Sequence, residues 1–376
     1  MKVLWVGDAG INSGFSVVTS NITKYFNPDN LVIFGIGYKG IPVNESNFKV
    51  YPAGTDNLYG FNILKDIIIK ETPDVILLFN DLHIIIKYLE VLLDVDSRKV
   101  VFFPVNLFPL DRDEVLKLSL FGVEEVITYT EYSKSKILEI NPNLNVTVVY
   151  HGVDLTTYFP VTNINKGTMF ENLFIVGNVN SNTQRKRLDL FIKAFAKFAI
   201  NKDDVYCFIH SSNTDFGYNL KDLASRLDIT DKLVLSNKIL DDERMNLLYN
   251  MFDVCCSTTC GEGFGLSGVE AAACGKPLLL PALGNLKDIW GDSVTYSTVN
   301  NDTETTFPDT YESQVINSND FVFKLNKLYS DKYYRLNMGK RAYDKIHEER
   351  FNWNTVSGKV FEVINRANKN NLKYLG

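Results

Sequence analysis

The chain has 376 residues, of which 45% are hydrophobic and 22% charged, and its formal net charge is −6. The apolar fraction is enough to bury a core and excludes a disordered chain, and the length is typical of two domains. The acidic balance argues against nonspecific binding to nucleic acid or to an anionic membrane surface. No apolar run approaches the ~18 residues that span a bilayer, and the first run ends at Gly7 and Asp8, too early for a signal peptide. We therefore expect a cytoplasmic protein.

The first part of the chain alternates short apolar runs with segments of helical periodicity. Apolar strands between helices indicate a parallel sheet that helices cover on both faces. The predicted strands are residues 2–6, 31–36, 75–79, 99–103, 125–128 and 145–149, and the predicted helices are residues 16–26, 62–70, 113–121 and 133–140.

The second part repeats the scheme, so the sequence predicts an α/β protein with two doubly wound domains. A polar segment with Pro160, at residues 153–166, marks the boundary, and residues 300–319 have the composition of a long surface loop. The predicted strands are residues 173–178, 205–210, 232–235, 254–257 and 277–281, and the predicted helices are residues 187–199, 220–227, 241–251, 266–274, 320–328 and 332–347.

The cysteines and histidines show no metal-binding pattern. Neither a Cys-x-x-Cys pair nor a zinc spacing occurs. We expect the cysteines to be small buried residues in a reducing compartment. They are Cys207, Cys255, Cys256, Cys260 and Cys274.

The strongest functional pattern lies where a predicted strand is followed by a glycine-rich turn and by a helix that begins near Leu266. Gly263 and Gly265 allow the backbone to approach a ligand closely. The N–H groups at the helix start point to the same place, which suits an anion such as pyrophosphate. Glu262 precedes the helix and Glu270 lies about one turn inside it. Two acidic acceptors beside a phosphate site suit the hydroxyl groups of a sugar on one side and of a ribose on the other.

The run Glu262-Gly-Phe-Gly-Leu, the seven residues between Glu262 and Glu270, and the later Ala-Cys-Gly-Lys-Pro277 resemble the E-x7-E signature of glycosyltransferase family 4, the "group 1" enzymes of GT-B architecture. Ser267 stands where the family commonly has Pro, and Ala272 where it commonly has Met. The resemblance implies two Rossmann-like domains that face each other across a cleft. Residues 1–155 would form the acceptor domain, residues 156–345 the nucleotide-sugar donor domain, and residues 346–376 a helix that packs back on the first domain.

Other segments agree with the family. Tyr150-His-Gly-Val-Asp154 resembles the turn that precedes the second domain, and Phe351-Asn-Trp353 resembles the Phe-x-Trp terminal element. The strand at 173–178 and its following loop resemble the segment that carries the family's basic phosphate-binding pair. Lys186 aligns with the family's lysine, but Asn178 stands where the family commonly has arginine.

Arg185 or Arg187 is therefore the candidate for the second cation. Cations at a helix start oppose the helix dipole unless an anion lies nearby, so this basic run favours a phosphate ligand.

The resemblance implies a retaining transfer of a sugar from a nucleotide-diphosphate sugar to an acceptor, without a metal ion. Lys186 and Arg185 would neutralise the leaving diphosphate, Glu262 would orient the sugar hydroxyls, and Glu270 the ribose hydroxyls. The implied catalytic residues are Glu262, Lys186 and Arg185; the donor-binding residues are Glu270, Gly263, Phe264, Gly265, Leu266, Asn178, Arg187, Asn237, Lys238, Ile239 and Gly14; the acceptor-side candidates are Ser13, His83 and Asn106.

Several alternatives stay open. Asp94-Val-Asp96 and Asp111-Arg-Asp113 match the letters of the motif in metal-dependent glycosyltransferases, although chance matches are expected in a chain with many Asp residues. A GT-B fold isomerase or phosphorylase, or a nucleotide-sugar-binding protein without transferase activity, would share the donor motifs. The loop at 7–14 is not Gly-x-Gly-x-x-Gly, which disfavours a nicotinamide-dependent oxidoreductase. The acceptor is left open among a glycan, a lipid, a protein, a small molecule and a modified nucleic acid.

Overall fold

The chain folds into two α/β units. A computed structural model describes residues 1–40, 48–54, 57–106, 109–162, 164, 171–211, 217–306 and 311–369, the side chains at 301–306 and 311–312 aside. Unit 1 comprises Met1–Val105, Leu110–Gly152 and Glu349–Gly376, and unit 2 comprises Asn106–Pro109 and Val153–Glu348. Residues 163, 165 and 166 of the predicted boundary segment lie outside the described residues.

Unit 1 is built on a parallel sheet. Its strands are β1 (Val3–Asp8), β2 (Leu31–Ile36), β3 (Lys49–Pro52), β4 (Val75–Phe79), β5 (Arg98–Phe102), β6 (Val123–Thr128) and β7 (Val146–Val148). They pair in the order β3-β2-β1-β4-β5-β6-β7. The helices α1 (Gly14–Thr23), α2 (Leu64–Glu71), α3 (Leu82–Val91), α4 (Arg112–Leu120) and α5 (Glu131–Ile140) connect them. β1, β2 and β4 are buried along their whole length, as expected for a sheet with both faces covered.

Unit 2 is built on a second parallel sheet. Its strands are β8 (Phe174–Val179), β9 (Val205–His210), β10 (Leu233–Ser236), β11 (Val254–Cys256), β12 (Leu278–Pro281) and β13 (Thr295–Ser297), in the order β10-β9-β8-β11-β12-β13. The helices are α6 (Leu188–Phe198), α7 (Leu220–Arg226), α8 (Asp242–Met251), α9 (Leu266–Ala273), α10 (Gly284–Trp290), α11 (Ser318–Ser330) and α12 (Lys332–Ile346).

Both sheets reverse their strand order at one place, between β1 and β4 in unit 1 and between β8 and β11 in unit 2. This is the doubly wound arrangement predicted from the sequence. It matters for function because ligands of such sheets bind beyond the carboxyl ends of the strands at the reversal.

The prediction of a surface loop at residues 300–319 is wrong. Two antiparallel strands, β14 (Val299–Thr306) and β15 (Tyr311–Ile316), occupy most of that segment; residues 307–310 lie outside the described residues. Its polar composition indicated a loop, yet Thr, Tyr, Val and Ile favour extended backbone. Val315 and Ile316, each only 2% exposed, anchor the strand pair in the core.

The C-terminal helix α13 (Trp353–Lys369) belongs to unit 1. The Arg366 guanidinium donates two hydrogen bonds to the Glu125 carboxylate, both 2.9 Å long. At the start of the helix, the indole of Trp353 lies so close to Gly152 that a Cβ there would be 2.5 Å from the ring. Close packing and a bidentate ion pair therefore hold α13 within unit 1.

Gly177 in β8 packs directly against Phe252, so a substitution there tests the packing of unit 2. A Cβ there would lie 2.2 Å from the ring of Phe252, which is itself 2% exposed. We expect Gly177→Ala to lower the free energy of unfolding by about 1–3 kcal/mol, because the ring has no space to retreat. Gly358→Ala is the control: apart from its chain neighbours and the adjacent backbone of α13, no described atom lies within 4 Å of a Cβ at that position. Alanine should therefore be neutral or stabilising there. Equal denaturant midpoints for the two variants would contradict the close contact.

Candidate functional site

Two loops of unit 2 meet where its strand order reverses. Lys186 lies in the loop after β8, and Glu262 lies in the loop after the neighbouring β11. The lysine Nζ is 2.5 Å from Oε2 of the glutamate, and the two side chains are only 11% and 12% exposed. Arg185 approaches the other carboxylate oxygen, with its guanidinium nitrogen 3.7 Å from Oε1. Two cations therefore face one carboxylate, and the cluster carries an excess positive charge.

The electrostatics of this cluster favour an added anion. Burial lowers the pKa of the Lys186 ammonium; the Glu262 charge opposes that shift, and the Arg185 charge adds to it. Burial alone would raise the pKa of the Glu262 carboxyl, but the two cations outweigh burial and hold this pKa below its usual value. The glutamate is thus an ionised acceptor at neutral pH. A phosphate beside the two cations would compensate the charge that burial disfavours.

Hydrogen bonds to the backbone hold the two loops together. The Cys260 N–H donates to the carbonyl of Arg185 at 2.9 Å. The Arg185 guanidinium donates in return to the carbonyl of Gly261. On the other side, the Asn285 amide donates to the carbonyl of Glu262 at 2.9 Å. The acidic and basic residues are therefore fixed before any ligand binds.

The helix α9 begins directly after this cluster. Gly265 precedes it with φ of 86°, in the left-handed region that favours glycine, and provides no side-chain cap. The first N–H groups of the helix, from Leu266 onward, are therefore oriented to receive an anion. Gly263 and Phe264 are buried in the preceding turn. A small cavity of about 20 Å³ lies at the helix start, lined by Cys255, Cys256, Ser257, Glu262, Gly265, Ser267, Gly268, Leu280, Leu286 and Trp290.

Arg187 does not join the cluster. Its guanidinium is bound to the Asp189 carboxylate at 3.0 and 3.2 Å, and its backbone is left-handed, with φ of 50°. Of the two candidates for the second cation, the structure places Arg185 beside Lys186 and Glu262.

Asn178 lies at the carboxyl end of β8 and is fully buried. Its Oδ1 accepts a hydrogen bond of 2.8 Å from Asn180. Its amide nitrogen has no hydrogen-bond partner among the described residues. The side chain that stands at the family's arginine position is thus neutral and enclosed.

Glu270 lies on α9, beside α8. The phenol of Tyr249 donates a hydrogen bond of 2.6 Å to its Oε2. Burial raises the pKa of Glu270 to about 7, the Tyr249 hydrogen bond opposes this shift, and the charge of Asp242 adds to it. The carboxyl group is therefore partly protonated at neutral pH and becomes a full acceptor as the pH rises.

Glu270→Gln should stabilise the protein at high pH. The pKa of this carboxyl rises from 4.5 to about 7 on folding, so the wild type loses stability as the pH rises through that range, whereas an amide does not titrate. We expect the variant to gain on the order of 1–3 kcal/mol above pH 7 and nothing from this effect below pH 4.5. Melting temperatures across this pH range measure it. Glu262→Gln should show the opposite trend, because the pKa of Glu262 is lowered; parallel trends would contradict the two assignments.

A larger cavity of about 270 Å³ opens at the carboxyl ends of β9 and β10. Its walls are Asn182, Ile209, Ser211, Tyr218, Asn219, Leu220, Lys221, Leu235, Ser236 and Asn237. The Asn182 side chain donates to the Tyr218 carbonyl at 2.8 Å and accepts from its N–H at 3.1 Å, which joins two walls. Of the predicted base-binding residues, Asn237 lines this cavity, whereas Lys238 is exposed and Ile239 is 83% exposed.

The remaining predicted residues lie on other segments of the chain. Ser13 caps α1, accepting from the Ser16 N–H at 3.0 Å, and Gly14 is the first residue of that helix. His83 is exposed on α3. Asn106, predicted on the acceptor side, groups with unit 2.

A polar cluster in unit 1 was not predicted. Asp8 accepts hydrogen bonds from the Ser13 hydroxyl at 2.7 Å and from the Asn80 amide at 3.2 Å. Burial raises the pKa of Asp8, and both hydrogen bonds oppose that shift. The signal was present in the sequence: Asp8 ends β1 and Asn80 directly follows β4, the two strands at the reversal of the sheet order.

Solved structures share the two-unit fold. HepE from Anabaena, in complex with UDP and glucose, aligns with a TM-score of 0.76 and 16% identity over 97% of this chain and 100% of that chain. Sucrose-phosphate synthase from Thermosynechococcus elongatus aligns with a TM-score of 0.81 and 13% identity, over 97% and 99%. The predicted fold is confirmed: this is a GT-B protein.

The second half of the chain matches a known family. Residues 162–345 match the family described as glycosyl transferases, group 1. This match covers just under half of the chain, and it confirms the resemblance to the group 1 enzymes that the sequence showed. Lys186, Glu262 and Glu270 all lie within the matched span.

Two curated relatives match more weakly. N-acetyl-alpha-D-glucosaminyl L-malate synthase from Bacillus anthracis is 25% identical over 236 residues, which are 61% of this chain and 57% of the relative. D-inositol 3-phosphate glycosyltransferase from Mycolicibacterium vanbaalenii is 27% identical over 194 residues, which are 46% of this chain and 42% of the relative. The matches thus span about half the length of these relatives.

Two features do not occur among the described residues. None of their helices is both long and apolar enough to cross a membrane. None of their His, Cys, Asp and Glu side chains form a group of three or more that could hold a metal ion.

Proposed function

We propose that this chain is a retaining glycosyltransferase, which moves a sugar from a nucleotide-diphosphate sugar to an acceptor without a metal ion. The observation that carries the proposal is the buried Lys186–Glu262 pair, flanked by Arg185, at the start of α9 in a group 1 glycosyl transferase domain. The names of the curated relatives, and the UDP in the HepE structure, support a nucleotide-sugar donor.

The diphosphate would bind between Lys186, Arg185 and the first N–H groups of α9. When the bond between the anomeric carbon and the phosphate oxygen breaks, negative charge develops on the leaving diphosphate. Two fixed cations and a helix N-terminus stabilise this charge in a partly buried site, where such interactions are strong. They do the work that a divalent cation does in metal-dependent transferases.

The sugar would lie against Glu262, whose ionised carboxylate accepts hydrogen bonds from its hydroxyl groups. The ribose would lie against Glu270. The cavity beside Asn237 has mixed polar and apolar walls and would take the nucleotide base. Asn178 and Arg187 are both buried. They would shape the phosphate end of the site by packing behind the residues that contact the donor.

The acceptor hydroxyl would bond to the anomeric carbon on the face that the diphosphate leaves, which retains the configuration. Its proton would pass to the departing phosphate oxygen, so no side chain is needed as a base. Ser13, His83 and Asn106 stay the acceptor-side candidates, and Asp8 and Asn80 join them. The acceptor is a glycan, a lipid, a protein, a small molecule or a modified nucleic acid.

All five cysteines are free and buried, which supports a reducing, cytoplasmic location.

A thermal-shift panel tests the proposal. The protein is heated with nucleoside diphosphates and nucleotide sugars, each with magnesium and with EDTA. Binding to the folded state alone raises the melting temperature, so we expect a shift with one nucleotide that persists in EDTA and is lost in Glu270→Ala. No shift with any nucleotide would overturn the proposal, and a shift that needs magnesium would overturn metal independence. Binding without turnover, after a broad acceptor screen, would favour a nucleotide-sugar-binding protein, and conversion of the donor without acceptor would favour an isomerase.

A further inference from the structure

The carboxylate of Glu270 accepts a hydrogen bond from Tyr249, a residue that no sequence motif indicated. Tyr249 on α8 is fully buried, and its phenol O–H donates to Glu270 Oε2 at 2.6 Å. A carboxylate has two oxygens and about four acceptor positions. The tyrosine occupies one position on one oxygen, which restricts the rotation of the carboxylate and leaves Oε1 for a ligand.

Tyr249 is itself fixed by the segment that enters unit 2. The ring of Tyr158 packs edge to face against it, with ring centroids 6.0 Å apart. The backbone on the C-terminal side of Tyr158 is bound to α8 through two buried asparagines. Asn246 accepts from the Phe159 N–H at 3.2 Å. Asn250, one turn later, accepts from the Val161 N–H at 2.9 Å and donates to the Phe159 carbonyl at 2.9 Å.

We propose that Tyr249 is a positioning residue, which orients the Glu270 carboxylate so that its free oxygen accepts the ribose hydroxyls of the donor. This inference rests on the proposed function of Glu270. A carboxylate that could rotate freely would pay the cost of ordering when the ribose binds, whereas a preoriented one does not. The effect should therefore appear in donor affinity and not in the chemical step.

The same hydrogen bond sets the pH at which donor binding weakens. Asp242 is the charged group whose effect adds to burial at Glu270. The Tyr158 phenol and the thiols of Cys255 and Cys274 also lie within its electrostatic reach. Because the Tyr249 hydrogen bond favours the ionised form, removing it leaves burial and Asp242 to raise the pKa of Glu270 further. Donor affinity, which needs the carboxylate, should then rise only at a higher pH than in the wild type.

Calorimetric titration with UDP and with 2′,3′-dideoxyuridine diphosphate tests the inference, because the second probe lacks the ribose hydroxyls. Wild type should prefer UDP. Tyr249→Phe should lose ~10-fold in UDP affinity at pH 7, as expected for a lost hydrogen bond to a charged group, with the dideoxy probe unchanged within about twofold. Part of this loss should be recovered as the pH is raised to 9, because Glu270 is then ionised, and the part caused by lost orientation should persist.

Tyr329→Phe is the matched control. Its phenol also donates to a carboxylate in unit 2, that of Asp204, at 2.8 Å, so this variant loses the same kind of hydrogen bond away from the site. It should keep the wild-type preference for UDP. In the Glu270→Ala background, Tyr249→Phe should have no further effect on UDP affinity, because the group it positions is gone.

The outcomes separate the two claims. A Tyr249→Phe variant that keeps the full preference for UDP, or that loses equal affinity for both probes, overturns the positioning role alone. A wild type that binds both probes equally overturns the ribose role of Glu270 and this inference with it, whereas a wild type that binds no nucleoside diphosphate at all overturns the proposed function. If Tyr249→Phe melts too low to titrate, the comparison of Glu270→Ala with Glu270→Ala/Tyr249→Phe still decides, since a further loss of UDP affinity in the double variant would refute positioning.

Discussion

Lys186→Ala should cut the turnover of sugar transfer by on the order of 100-fold or more. The ammonium is one of two cations beside the start of α9, and it would face the charge that develops on the leaving diphosphate. That charge is greatest in the transition state, so the loss should appear mainly in kcat. Turnover is measured as release of the nucleoside diphosphate from the donor that the thermal-shift panel selects.

The same substitution should weaken binding of the nucleoside diphosphate itself, because Arg185 alone remains to neutralise it. It also leaves the Glu262 carboxylate buried without its nearest partner, which costs on the order of 3 kcal/mol of stability. Assays are therefore run well below the melting temperature of the variant, and its folded fraction is measured in the same buffer.

Lys193→Ala is the matched control. Lys193 lies on α6, is 47% exposed at the side chain, and pairs with Asp189 at 3.2 Å. An exposed ion pair contributes little, so turnover should stay within about twofold of wild type. A Lys186→Ala variant that turns over at a similar rate would remove Lys186 from the reacting centre.

The alternation of the parallel sheets was readable because buried parallel strands are short, continuous apolar runs. Strands such as Leu31–Ile36, Val75–Phe79 and Val205–His210 have the predicted bounds. The helix α3 (Leu82–Val91) escaped prediction because three consecutive isoleucines and few polar residues obscure its period. The strand pair β14 and β15 escaped because a polar, two-stranded antiparallel ribbon has neither the apolar run nor the helical period.

Local sequence also predicted the backbone elements that surround the site. The strand, the glycine turn and the helix at Leu266 lie in one continuous stretch, so short-range rules suffice. The choice between Arg185 and Arg187 did not follow from the sequence, because it depends on the left-handed backbone at Arg187 and on its ion pair with Asp189. The contact of Tyr249 with Glu270 joins two helices and needed the folded chain.

Glu262→Ala should also cut turnover by on the order of 100-fold or more, for a different reason. The carboxylate would orient the sugar through its hydroxyl groups, so its loss misplaces the anomeric carbon without removing a cation from the diphosphate site. In the unliganded protein this carboxylate also forms an ion pair with the Lys186 ammonium, at 2.5 Å. Its removal frees that ammonium for the phosphate.

The two variants should therefore separate in a binding experiment. Affinity for the nucleoside diphosphate should fall in Lys186→Ala but stay equal or rise in Glu262→Ala, while turnover collapses in both. Glu243→Ala, on the exposed side of α8, is the control and should change neither quantity. If Glu262→Ala lowers affinity for the diphosphate as much as Lys186→Ala does, the glutamate serves only to hold the lysine in place. If both variants turn over at near wild-type rates, the reacting centre lies elsewhere in the chain.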